Sequence, residues 1–138
     1  MVRTYLDSGV LIAICRGKPE LAHKALSMLN DPTREILLSE AVRLEVMPRT
    51  LYEDRRGERE ALEEVFSSAQ VLGWSLPVLQ RAYHLACTYG IAAMDAIHLA
   101  FAVEAKAEAF ITTEKPPKPL FRFNRAGGRP QVISLYES

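Results

Sequence analysis

TYLDSGVLIAI, residues 4–14, is an apolar run broken by one carboxylate, Asp7, at the point where a strand would hand over to a helix. Val2 to Leu6 is apolar and short, which predicts a buried strand, and Ser8 to Cys15 carries the apolar spacing of a helix start. Asp7 stands between them, ahead of Ser8 and Gly9, where its side chain could cap the new helix. If this strand–acid–helix unit repeats in kind along the chain, the fold is α/β. The rest of the sequence supplies that pattern.

A second helix is predicted from about Glu20 to Leu29, opened by Gly17 and Pro19 and closed by NDP at residues 30–32. Ile36 to Leu38 reads as the next strand, followed at once by SEAVRLEV, where Ser39 is a good N-cap and Pro48 is expected to stop the helix. The charged run from Glu53 to Glu64 reads as a solvent-facing helix. Gln70 to Trp74 is expected as a third strand, and Pro77 opens a helix that reaches Tyr89, with Gly90 as its C-cap. Met94 to Lys106 is a very apolar helix, Ala109 to Thr112 a strand, and Gln131 to Leu135 the last strand. KPPKPLFRFNRAGGR, residues 115–129, is expected to be a long irregular loop. Strands alternating with helices need crossover connections, so the reading is one α/β domain over residues 1–138, with a mostly parallel sheet of about five strands covered by helices on both faces.

Composition narrows the function classes. Hydrophobic residues are 49% and charged residues 25% of 138, an ordinary globular balance that excludes a disordered or fibrous chain. No segment offers the roughly 18 apolar residues of a membrane span, and no leader pattern opens the chain, so a cytoplasmic protein without membrane contact is expected. Cys15 and Cys87 lack partners at zinc-ligand spacing and read as buried thiols. Lys plus Arg and Asp plus Glu are 17 each, so any binding of a polyanion has to come from local patches.

In an open parallel sheet, ligands bind outside the carboxyl ends of the strands, near the point where strand order reverses. Asp7 follows the first strand there and Glu114 follows the strand Ala109 to Thr112. Two further acids interrupt apolar helical patterns: Glu45 in VRLEVM and Asp95 in AAMDAIHLAF. Each has an ordinary alternative: Glu45 paired with Arg49 one turn on, Asp95 as a helix N-cap, Glu114 as an exposed loop acid. Their coincidence argues otherwise. Clustered carboxylates repel, and a site that holds them is costly unless a cation shares it. With oxygen donors and His98 as the only imidazole nearby, Mg²⁺ or Mn²⁺ suits the set better than zinc. Such an ion activates water and neutralises phosphate charge, which points to phosphodiester hydrolysis.

YLDSGVLIA, LSEAVRLEV, GIAAMDAIHLAFA and AFITTEK, in that order and spacing, resemble the motifs of PIN-domain proteins. In size and layout the chain is most similar to the VapC-type ribonuclease toxins of toxin–antitoxin modules, and the resemblance covers essentially all of it. It implies a Mg²⁺- or Mn²⁺-dependent endoribonuclease in which Asp7, Glu45 and Asp95 are the first three acids. Thr112 matches the hydroxyl residue of a Thr-x-Asp element whose acid is here Glu114, and the following loop lacks the further acid often found nearby. Ser8 is the matching hydroxyl beside Asp7. The resemblance also implies an RNA substrate, a cognate antitoxin that covers the groove, and a homodimer.

Lys115, Lys118, Arg122 and Arg125, with Arg129, carry the loop's positive charge, and Phe121 and Phe123 alternate with these bases. They could stack on nucleobases beside the phosphates, or fasten the loop to the core. Arg49, Arg55, Arg56 and Arg59 are diluted by neighbouring acids and read as a solvated face. Two rival readings stand beside the nuclease. One is a PIN-like RNA- or partner-binding module with weak or no nuclease activity, motivated by Glu114. The other, a phosphate-signalling domain with Asp7 as acceptor, leaves Glu45 and Asp95 without purpose.

Overall fold

The computed structural model describes residues 1–137. β1 (Val2–Leu6) runs into α1 (Ser8–Arg16) and α2 (Pro19–Leu29); β2 (Arg34–Ser39) into α3 (Glu40–Tyr52) and α4 (Arg56–Ser68); β3 (Gln70–Leu72) into α5 (Leu76–Tyr89) and α6 (Ala93–Glu104). β4 (Ala109–Thr112) leads through a 3₁₀ segment (Pro119–Ala126) to β5 (Gln131–Ser134). The five strands are all parallel, in the order β3-β2-β1-β4-β5. Right-handed crossovers put the helices of the first two connections on one face and those of the third on the other. The α/β reading therefore holds, with a fully parallel sheet.

The order reverses between β1 and β4, because the chain builds outward from β1 through β2 and β3 before crossing back to β4 on the other side. Their carboxyl ends define the crevice. β1 is buried from Thr4 to Leu6 and β4 along its whole length, as expected for central strands covered on both faces. Tyr5 stacks on Phe110 across the pair, with ring centroids 5.3 Å apart. α6 buries Ala96, His98, Leu99, Ala100, Phe101 and Ala102, so a helix apolar all round is a core helix here. No single helix among the described residues is long and apolar enough to cross a membrane.

Several local expectations need correction. Pro48 does not stop α3, which continues to Tyr52. The lost hydrogen bond would have gone to the Leu44 carbonyl, and Leu44 is 62% exposed, so water can serve that oxygen while buried Val46, Met47 and Thr50 hold the helix to the core. The charged run is not one helix from Glu53: the chain turns at Glu53–Arg55, with Asp54 at φ 52°, and α4 starts at Arg56. β3 ends at Leu72 because Ser75 already caps α5, accepting from the Val78 N–H at 3.2 Å. The loop expected after Lys115 contains the 3₁₀ segment, and Phe123 buries against Tyr89. Neither thiol is buried: Cys15 is half-buried and Cys87 exposed.

Candidate active site

Asp7 begins where β1 ends. Its N–H extends the ladder to β4 by donating to the Ile111 carbonyl at 3.1 Å, and its carboxylate accepts from the Val10 N–H at 3.4 Å. The capping role is real, and it places the acid rather than explaining it away: Asp7 is only 7% exposed. Burial pushes its carboxyl up to about 6, against the hydrogen bond from the Thr112 hydroxyl, while the Asp95 charge raises it further. Gly9 makes the close approach possible. A Cβ there would stand 2.2 Å from Thr113 Oγ1 and 3.3 Å from Asp7 Oδ1, so any side chain would have to displace the Thr113 side chain and would crowd the Asp7 carboxylate.

Thr112 is fully buried at the tip of β4, where its Oγ1 accepts the Glu114 N–H at 3.0 Å and its hydroxyl serves Asp7. This fixes the turn that carries Glu114. Asp95 does not cap α6; Ala92 holds that position without a side-chain bond, and Asp95 lies within the first turn. Burial raises its carboxyl, and the charges of Glu114 and Glu45 add to the rise while Lys118 opposes it. Asp95 thus shares its electrostatic field with Asp7, Glu45 and Glu114, near the carboxyl ends of β1 and β4.

Glu45 reaches this cluster from α3, with its side chain 34% exposed. It does not pair with Arg49, which bonds instead to Glu53 at 3.4 Å. One oxygen, Oε1, accepts from Ser8 Oγ at 2.5 Å and also meets His98 Nε2 in a very short contact. The His98 bond holds the Glu45 carboxyl below its usual range, against the effect of burial. Among the described residues, no group of three His, Cys, Asp or Glu side chains stands ready to hold a metal ion.

His98, expected from the sequence only as the imidazole nearest the acids, stands in the structure as a direct partner of Glu45. It is 3% exposed, with Nδ1 2.8 Å from the Tyr5 hydroxyl, which lies 2.7 Å from Ser39 Oγ. One signal was available: His98 follows Asp95 by three positions, so both occupy one face of α6. Its contacts with Tyr5, Ser8 and Glu45 come from across the chain and left no local trace.

The basic loop divides. Lys118 lies within reach of Asp95's charge, and Lys115 sits 4.2 Å over the Tyr136 ring. Arg122 donates to the Tyr89 carbonyl at the end of α5 at 2.9 Å, and with Arg125 lines a hollow of about 600 Å³ beside Thr88, Tyr89 and Gly90. Arg129 is drawn to Glu108 at 3.3 Å. Phe123 is buried and Phe121 packs partly against the core, so these rings fasten the loop rather than present free stacking faces. A concavity of about 710 Å³ lies at the amino ends of the strands beside Met1, Arg34 and Gln70, at the opposite end of β1 from Asp7.

No curated protein matches the chain. Solved structures do. A toxin–antitoxin complex from Klebsiella pneumoniae aligns with TM-score 0.71 at 20% identity, over 96% of this chain and 98% of that one. FitAcB from Neisseria gonorrhoeae aligns with TM-score 0.70 at 18% identity, over 98% and 99%. VapC20 from Mycobacterium tuberculosis, a toxin that cleaves the sarcin–ricin loop, gives 0.66 at 11% identity over 92% and 97%. At these identities the likeness is one of fold. The family model for the PIN domain matches residues 4–116, a span that takes in the crevice from Asp7 to Glu114, and the chain belongs to the PIN domain family.

Proposed function

We propose that the protein is a metal-dependent endoribonuclease that hydrolyses RNA phosphodiester bonds and serves as the toxin of a cytoplasmic toxin–antitoxin pair. The observation that carries this reading is the cluster of Asp7, Glu45, Asp95 and Glu114 at the sheet's switch point, where burial and mutual repulsion raise both aspartates. Anions held at such cost call for a cation. The donor set fits a hard ion: every ligating atom is oxygen, and Mg²⁺ commonly takes only one or two carboxylates directly and keeps its remaining waters. Acids in charge contact without a closed three-ligand cage are compatible with that habit.

Asp7 and Asp95 would hold the ion, with Glu45 and Glu114 ligating directly or through water. Bound there, Mg²⁺ or Mn²⁺ lowers the pKa of a coordinated water and neutralises charge on the phosphate. Ser8 and Thr112 orient the acids they hydrogen-bond. Lys115 and Lys118 are the phosphate contacts nearest the acids, and Arg122 and Arg125 extend the positive track to the end of α5. The complexes among the structural neighbours support an antitoxin partner. Exposed Tyr52 (92%), Tyr83 (77%), Leu76 and Leu79 on α3 and α5 support a homodimer.

A second reading, a PIN-fold RNA- or partner-binding module that cuts weakly or not at all, is favoured by two observations: Glu45 is engaged by His98 and Ser8, and among the described residues no three candidate ligands stand together. RNA cleavage with Mn²⁺, in the presence and absence of chelator, separates the two. Cleavage abolished by chelator and by Asp7→Asn supports the nuclease. RNA retention without cleavage under any divalent ion supports the binding module.

A further inference from the structure

We infer that Ser39, Tyr5 and His98 form a directional hydrogen-bond relay that fixes the His98 imidazole with its proton on Nε2, so that His98 is a positioning residue for Glu45. The part of this inference that concerns RNA cleavage rests on the nuclease reading above; the direction of the relay does not.

The direction follows from counting donors. Ser39 caps α3, and its Oγ accepts the Val42 N–H at 3.3 Å. Ser39 is fully buried, and the Tyr5 oxygen, 2.7 Å away, is the acceptor within reach of its hydroxyl hydrogen. Were Tyr5 to donate to Ser39 instead, that hydrogen would be left unpaired in the core, at a cost of about 1–3 kcal/mol. Tyr5 therefore accepts from Ser39 and donates its own proton onward to His98 Nδ1 at 2.8 Å. A ring nitrogen that accepts carries no proton, so in the neutral ring the proton sits on Nε2. Nε2 faces Glu45 Oε1, and a bare lone pair there would meet carboxylate lone pairs at close range. Both ends of the relay require the same tautomer.

The consequence falls on Glu45. His98 Nε2–H and Ser8 O–H both donate to Oε1, and among the described residues no protein donor reaches Oε2, the oxygen available to a metal or to water. The N-cap of α3 thereby sets the hydrogen-bond sense of a chain that ends at a carboxylate on the same helix. Ordering a ligating side chain in this way is worth roughly 10- to 100-fold in metal affinity or activity.

The test is long-range ¹H–¹⁵N correlation spectroscopy of His98 in the full-length protein, with Mn²⁺ binding and RNA cleavage followed in parallel. The expected wild-type spectrum has a protonated, pyrrole-type Nε2 and a pyridine-type Nδ1, and Tyr5→Phe should lose this fixed pattern. His98→Gln, which can donate to Glu45 and accept from Tyr5, should keep most of the metal affinity and cleavage, whereas His98→Leu should lose roughly 10- to 100-fold. A proton on Nδ1, alone or in an imidazolium, overturns the relay; a His98→Leu protein that folds and binds Mn²⁺ like the parent overturns the positioning role. If wild type shows the expected tautomer but cleaves no RNA with any divalent ion, the relay stands and the nuclease reading fails.

Discussion

Glu53 and Glu58, at the corner between α3 and α4, and Asp7 and Asp95, at the carboxyl end of the sheet, are the same functional group under opposite electrostatics. At the corner every acid has a base. Arg16 makes two bonds to Glu58, at 3.1 and 3.2 Å, and reaches Glu53 at 3.6 Å; Arg55 and Arg49 also reach Glu53, at 2.7 and 3.4 Å. The Glu58 carboxyl is lowered, chiefly by Arg16; at Glu53 burial is the largest single influence and pushes the carboxyl up, but Arg49 and Arg55 together outweigh it and leave the group lowered. At the sheet edge, both aspartates are raised, first by burial and then by fellow acids. One region is electrostatically complete. The other holds raised acids whose charges oppose one another and which the proposed reading completes with a cation, and that contrast separates a structural ion-pair network from a candidate reaction centre.

The contrast breaks first at Asp7. Asp7→Asn should lower RNA cleavage by about 10³-fold or more, since a lost metal ligand removes several kcal/mol of charge stabilisation. The same change should stabilise the metal-free protein. Burial lifts the Asp7 carboxyl from 3.8 to about 6, so between those values the folded chain holds a proton that the unfolded chain has released. Metal-free stability therefore falls as pH rises through that window and stays low above it. Asparagine has no such cost and still caps α1, so the variant's advantage should be full at pH 7.5, up to about 3 kcal/mol, and should vanish below about pH 4. Chemical denaturation in chelator across pH measures it.

Gly9→Ala tests how tightly the acid region is built. The 2.2 Å approach to Thr113 Oγ1 should make it destabilising by about 1–3 kcal/mol. Thermal melting should show most of this loss recovered in the double variant with Thr113→Ala, because Thr113 is the side chain struck.

Glu114 carries a subtler difference. A carboxylate one methylene longer than the family's aspartate should hold an ion loosely, and Mg²⁺ is more exacting in geometry than Mn²⁺. Cleavage should be several-fold better with Mn²⁺, and Glu114→Asp should narrow the gap; titrating each ion against cleavage rate shows it. The smallest effect is expected at the paired corner. Glu58→Gln should leave cleavage unchanged, and its modest drop in melting temperature should shrink as salt is added.

The difference between the regions also explains what could be read from the sequence. Asp7 and Glu114 were legible because they follow short apolar strands, and α/β folds gather their ligands at strand ends. Glu45 and Asp95 were legible as charges in apolar helical spacing. The charge partners were not. Glu45 has Arg49 one turn away and bonds instead to His98, 53 residues distant, while Arg49 turns to Glu53. Tyr5 and His98 are 93 residues apart, and nothing local to either announces the contact. Pro48 misled for the complementary reason: its local penalty is real, but tertiary burial of the flanking residues outweighs it.

The most direct measurement is a Mn²⁺ titration followed by electron paramagnetic resonance at pH 7.5, on the parent protein and on Asp7→Asn, Asp95→Asn and Glu58→Gln. Saturable binding by the parent is expected, weakened roughly tenfold or more by either aspartate substitution and unchanged by Glu58→Gln. A parent protein that binds no Mn²⁺, or aspartate variants that bind it as well as the parent, would contradict the assignment of the acids at the carboxyl end of the sheet as a cation site.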